Sequence, residues 1–345
     1  VIGDRQPSHF GVAPDGDAVH RVTLKNGGVT ASFITWGASL QDLRISGVAH
    51  SLVLGSPVFE AYLTAMKHFG AIAGRVANRI ANGRAELDGR TLELDRNENG
   101  QTTLHGGAAG SSVSNWSLDG FDASSCRMSL RMQDGAAGFP GNLDLTVVYR
   151  LDGEGALIME IEGVTDAPTF CNAAHHSYWN LSGAADLSGH CLTVHAERYL
   201  DVDSRKIPTG APWQVEGTRF DFRTPRPVTG EGQEPLDHNL CLRDAPGQLR
   251  EVGVLEAGEL ELRLFTTEPG LQVYDGKTVD TTPSKGHDGA PYGPFAGVAL
   301  EPQRWPDAPN HRGYPSIVLR PGETYSQVSK FHIRWRNANS EEDER

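Results

Sequence analysis

Apolar and polar residues alternate along this chain in short runs, and glycine or an Asp/Asn turn ends almost every run. Alternation with a period of two places successive side chains on opposite faces of a β-strand. Residues 20–25 and 29–35 alternate on either side of Asn26-Gly27-Gly28 and predict a hairpin. Residues 85–87 and 90–94 repeat the pattern around Asp88-Gly89, the pair that a two-residue turn with two left-handed positions favours. Further alternating runs at 143–151, 157–163 and 260–265 carry the pattern toward the end of the chain. Helical spacing is scarce: residues 59–69, after Pro57, predict a turn or two and no long amphipathic stripe. Without crossover helices a parallel sheet is not expected. The pattern predicts an all-β protein, a large antiparallel β-sandwich with few short helices, and long polar loops at 208–235 and 277–295.

Composition narrows the picture. Large sandwiches form single domains at this length, so 345 residues are read as one domain, 1–345, ending in a frayed charged tail at 337–345. No repeat at a fixed period suggests a propeller. The net charge of -13, from 44 acidic and 31 basic residues, repels a phosphate backbone, so nucleic acid is not an expected partner. No apolar run is long enough to span a bilayer, and residues 1–15 lack a signal pattern, so the expectation is a cytoplasmic protein without a membrane partner. Cys126, Cys171, Cys191 and Cys241 lie far apart without metal-ligand spacing and read as buried free thiols.

Four segments gather chemistry. Gly74 to Ile80 holds Arg75, Asn78 and Arg79, and the fixed donors of Asn78 and Arg79 suit hydroxyls or a developing oxyanion. His105 is followed by Gly106 and Gly107, a pair that permits backbone to approach a ligand closely. His175, His176, Ser177, Tyr178, Trp179 and Asn180 combine proton carriers with flat aromatic faces. Neighbours on a strand face opposite ways, so only one of the two histidines can enter a given pocket. Glu301 ends a small, apolar strand, where partial burial raises a carboxyl toward a useful base. Asp237-His238-Asn239 and Gln272-Val273-Tyr274 add groups that fix sugar hydroxyls.

Taken in order, GRVANRI, LHGG, HHSYWNLSG, LDHNLCL, GLQVY, LEPQRWPDAPN and PSIVLRPGETY resemble the aldose 1-epimerase (galactose mutarotase) family over nearly the whole chain. The resemblance implies a β-supersandwich that binds a free monosaccharide in a cleft, as monomer or homodimer, with no cofactor and no metal. It matches Glu301 to a general base and His176 to a general acid. Arg79, Asn78, His105, Asp237, Gln272 and Tyr178 match the sugar-binding positions. Ring opening then needs Glu301 ionised and His176 protonated, with Tyr178 or Trp179 packed against the ring or supporting the wall. Three other readings stay open. A glycoside hydrolase would use Asp237 as second carboxyl. A hexose-6-phosphate epimerase would need a basic clamp, for which Arg75 and Arg79 stand nearest. A sugar-binding module would keep the fold without the chemistry.

Overall fold

The structure is a computed structural model that describes residues 6–230 and 232–336, so the charged end at 337–345 lies outside the described residues. Its largest sheet has nine strands, in the order Ser117–Phe121, Ser125–Met132, Leu143–Leu151, Ala156–Thr165, Tyr325–Trp335, Leu260–Thr266, Arg250–Ala257, His190–Val194 and Arg226–Pro227. Every pairing in it is antiparallel. Alternation decides which face is buried. In Leu143–Leu151, the side chains of Leu143, Leu145, Val147, Tyr149 and Leu151 are all within 1% of full burial, and the residues between them are not. Each such side chain contributes roughly 1.5–3 kcal/mol by leaving water.

A second antiparallel sheet packs on that face. Its six strands run Tyr178–Trp179, Val298–Gln303, Gly270–Tyr274, Asp237–Cys241, Arg198–Tyr199 and Trp213–Gln214. Val298, Leu300, Leu271, Val273 and Leu240 join the same core cluster as Leu255, Leu262 and Phe331 of the larger sheet. A third sheet, Ser8–Val12, Ala18–Asn26, Val29–Ile34 and Ser39–Ile45, closes the core at one end, where Phe33 stacks on Tyr149 at 4.2 Å. The architecture is the antiparallel sandwich that the alternation predicts.

The short-range predictions meet the structure closely. The first hairpin joins Ala18–Asn26 to Val29–Ile34, and the second joins Arg84–Leu87 to Arg90–Glu93 through Asp88 (φ 50°) and Gly89 (φ 75°). Residues 59–69 form one helical turn, Glu60–Leu63, and then continue as turns that bury Phe59, Tyr62, Met66 and Phe69. The segment 208–235 is less irregular than expected, since Trp213–Gln214 and Arg226–Pro227 extend the two sheets. Cys126, Cys171 and Cys241 are buried free thiols, but Cys191 is only half-buried because its strand turns that face outward. No helix among the described residues is long and apolar enough to cross a membrane.

The outer face of the six-stranded sheet positions the chemistry. Because Val298, Leu300, Leu271 and Val273 point into the core, strand parity turns Ala299, Glu301, Gln272 and Tyr274 the other way. Register then aligns two rows across the strands. Tyr178, Ala299, Tyr274 and Asp237 form one row, and Glu301, Gln272 and Asn239 form the next.

Candidate active site

A cleft of about 680 Å³ lies over these rows, with Glu301 and His176 at its floor, 2% and 6% exposed. His176 reaches it through backbone pairing on both sides. Its N–H donates to the Ala71 carbonyl at 2.9 Å, and its own carbonyl accepts from Gly70 N–H at 2.9 Å. His176 Nε2 stands 3.7 Å from Glu301 Oε1. His175, one residue earlier, enters the core between Tyr149 and Phe331, with its Nε2 3.0 Å from Ser177 Oγ. The same parity divides the aromatic pair. Tyr178 lines the cleft, while Trp179 is fully buried and stacks on Phe331 at 5.1 Å, so the expectation that Trp179 can touch a sugar is corrected.

Arg79 is held from two sides. Its Nε and Nη2 donate to the two Glu98 oxygens at 2.8 and 2.7 Å, and Thr102 Oγ1 donates to the same carboxylate at 2.5 Å. Its Nη1 stands 3.8 Å from Asp237 Oδ2, and Asp237 Oδ1 accepts from Gln272 Nε2 at 2.7 Å. Burial opposes the charge on Arg79, but the Glu98 fork, Asp237 and Glu301 outweigh it and hold the guanidinium above its ordinary pKa. Gln272 therefore meets the cleft through Asp237, whose free lone pairs and charge are aimed by that amide.

Asn78 and His105 lock each other. Both adopt left-handed backbone, φ 60° and 50°, a conformation that asparagine and histidine tolerate better than most side chains. His105 N–H donates to the Asn78 carbonyl at 2.9 Å, and Asn78 N–H donates to His105 Nδ1 at 3.2 Å. Since Nδ1 accepts, the proton of the neutral ring sits on Nε2, and His105 offers a donor. The glycines after it act differently from the expectation. A Cβ at Gly106 would lie 2.1 Å from the Gly74 carbonyl oxygen and one at Gly107 would lie 2.9 Å from Ala137 Cβ, so the close approach they permit is to the chain itself. Arg75 is likewise corrected: it is fully buried away from the cleft, and its guanidinium donates to the carbonyls of Met132, Gln133, Pro140 and Gly141 and to Thr169 Oγ1. Trp305 packs with Leu200, Cys241 and Tyr314, and its Nε1 donates to the Pro269 carbonyl.

His68 and Glu98 are among the cleft residues that escaped the sequence reading. His68 stands beside His105 and His176, with ring centroids 4.8 and 6.4 Å away and its Nδ1 3.0 Å from Ser112 Oγ. It sits in the apolar stretch read as helical, where one polar ring among Phe59, Tyr62, Met66 and Phe69 was the available signal. Glu98 lies in a turn-rich segment and has no periodic signal at all.

Electrostatics correct one further expectation. Burial drives the Glu301 carboxyl well above its ordinary range, and Asp237 adds to this while Arg79 opposes it. Burial also lowers His176 to about 4. At the buried floor of the cleft the proton shared by the pair therefore rests on Glu301 with His176 neutral, the reverse of the expected ion pair. Taking two charges out of water outweighs their attraction across 3.7 Å. His105 lies well below its ordinary value for the same reason, with His68 and His176 adding to it.

Comparison with known proteins identifies the family. The model of the aldose 1-epimerase family matches residues 20–332. The chain is 37% identical to the galactose mutarotase of Rattus norvegicus over 334 residues, 93% of this chain and 96% of that one. It is 36% identical to the aldose 1-epimerase of Escherichia coli over 340 residues, 93% and 97% of the two chains. Among solved structures, an aldose epimerase homologue from C. elegans superimposes with a TM-score of 0.86 at 29% identity, covering 93% of this chain and all of the other. The galactose 1-epimerase of Lactobacillus acidophilus gives 0.83 at 25% identity, covering 96% and 99%. On the family match, the extent of these identities and the shared fold, the chain belongs to the aldose 1-epimerase family.

Proposed function

We propose that this protein is an aldose 1-epimerase that interconverts the α and β anomers of free aldohexoses such as galactose and glucose, with Glu301 and His176 as its catalytic pair. The observation that carries the reading is a buried carboxyl and a buried imidazole 3.7 Å apart at the floor of a cleft lined by hydroxyl-binding groups. Opening the hemiacetal ring breaks the C1–O5 bond. Once the shared proton has moved from Glu301 to His176, Glu301 removes the O1 proton as His176 protonates O5, and the pair is left as carboxylic acid and neutral imidazole. Burial favours that neutral arrangement, so the site stabilises the state that faces the open aldehyde. The aldehyde rotates about C1–C2, Glu301 returns its proton to O1, and His176 takes the proton of the O5 hydroxyl. One cycle leaves both groups as they began.

The remaining residues hold the sugar while its anomeric end turns. Arg79 and His105 Nε2 donate, Asp237 accepts, Asn78 fixes His105, Gln272 aims Asp237, and Tyr178 forms the wall. One core cluster runs from Val22 to Ile333, which supports reading the chain as one domain. The hydrolase reading is weaker, because Asp237 is engaged by Gln272 and Arg79 rather than free as a second catalytic acid. Fresh α-galactose followed in a polarimeter tests the proposal. The protein should speed the approach to the anomeric equilibrium in proportion to its concentration, and a rate equal to buffer alone contradicts it.

A further inference from the structure

Lysine is rare in this chain, and it recurs at the cleft. The sequence holds six lysines in a chain of net charge -13, and two of them, Lys206 and Lys277, line this one cleft. Exposure fixes their depth: Glu301 and His176 are buried at the floor, Lys206 is half-buried and Lys277 exposed, so both amines stand toward the mouth.

Both lysines sit on turns pinned by an aspartate. Asp203 Oδ1 accepts from the backbone N–H groups of Arg205 and Ile207, and its carbonyl accepts from Lys206 N–H at 2.9 Å. The turn holds Lys206 at φ 63°, a left-handed position where Gly or Asn costs least. A long cationic side chain kept there carries a conformational cost of about 1 kcal/mol or more, of the kind that collects at functional sites. On the other side, Asp275 Oδ1 accepts from Lys277 N–H at 3.1 Å, and Asp275 is itself buried. Neither amine has an ion-pair partner among the described residues, whereas the cleft's arginine is consumed by Glu98 and Asp237.

A neutral hexose needs donors and acceptors but no unpaired cation. We infer that the cleft accepts an aldose carrying an anionic group at the end remote from the anomeric carbon, a carboxylate or a phosphate, seated between Lys206 and Lys277. This rests on the proposed mutarotase reading of the same site and names the substrate class within it. A hexuronate fits with C1 at the Glu301–His176 pair and its C6 carboxylate at the rim. The chemistry at C1 is unchanged, so no further reactant is needed.

The test compares galactose, galacturonate and glucose 6-phosphate in polarimetric turnover, and separately in binding calorimetry, at low and at raised salt. Wild type is set beside Lys206→Asn, which tolerates the left-handed backbone, Lys277→Met, and the double variant. The expected result is a kcat/KM ratio of galacturonate to galactose that falls about tenfold in the double variant, and anionic-sugar affinity that falls with salt while galactose affinity does not. A stronger response for the phosphate than for the uronate identifies phosphate as the anion. Turnover of galactose with no tighter binding of either anionic sugar overturns this inference and leaves the mutarotase reading standing. No turnover of any sugar overturns the mutarotase reading. Calorimetry still decides the rim in that case, since equal affinity for neutral and anionic sugars overturns it.

Discussion

At the scale of the residue, the site works because burial and charge act on one proton. The Glu301–His176 pair is competent while it holds a single proton between its two groups. Uptake of a second proton titrates His176 at about 4, and loss of the shared proton waits until well above the ordinary carboxyl range. A pH series of polarimetric rates is therefore expected to fall on an acid limb near pH 4, and an acid limb near 6.5 contradicts the burial of His176. His68 lines the cleft beside His176 but hydrogen-bonds Ser112 and neither member of the reacting pair, so His68→Phe is expected to raise KM severalfold with kcat nearly kept. An equal loss in kcat would show that it acts on the chemistry. Much of this was legible in the sequence, because His176, Glu301, Arg79 and His105 stand in motifs whose order is informative. His68 and Glu98 were not, since an isolated polar residue in an apolar run or a turn carries no periodic signature. The resting protonation of the pair was also hidden, because desolvation depends on neighbours that only the fold supplies.

At the scale of the element, strand parity does the sorting. It sends His175 and Trp179 into the core and His176 and Tyr178 into the cleft, and it sets Glu301 opposite Gln272. Alternation in the sequence predicts such splitting but not which face is which, and this is why Trp179 was expected near the sugar. Glycines divide in a similar way. Gly89 sits in the expected two-residue turn at φ 75° with open space around it, so Gly89→Ala should cost only about 1 kcal/mol of backbone strain. Gly106 at φ 83° stands against the Gly74 carbonyl, so Gly106→Ala should destabilise by about 3 kcal/mol or more and displace His105, with loss of activity. Urea unfolding of the two variants separates the cases, and equal effects would contradict the close packing of Gly106. The turn at Asp88-Gly89 was readable from two letters. The Gly74–Gly106 approach joins segments 32 positions apart and was not, as contact across such a distance leaves no local mark.

At the scale of the whole molecule, the fold concentrates histidine in its interior. Burial lowers His68, His175 and His238 to about 3 and His176 to about 4, with His105 well below its ordinary value. A group with a depressed folded pKa gives stability above its unfolded value of 6.5 that is lost as the pH falls, here by about 1 kcal/mol per pH unit for each histidine. Glu268, raised to about 7 by burial, and Glu301 act in the opposite sense between pH 7 and 4.5 but are outnumbered. The melting temperature is expected to fall steadily from pH 7 to pH 5, and a constant value would contradict the burial of these rings. The same burial shifts the catalytic pair, so stability toward acid and catalysis share one cause. The most direct test of the account is the polarimetric rate of Glu301→Gln on fresh α-galactose beside the wild type, with folding checked by circular dichroism. The account predicts an intact fold and a loss of about 10²–10⁴-fold in kcat, the usual contribution of a positioned acid–base group; a folded variant that keeps a near-normal rate would contradict it.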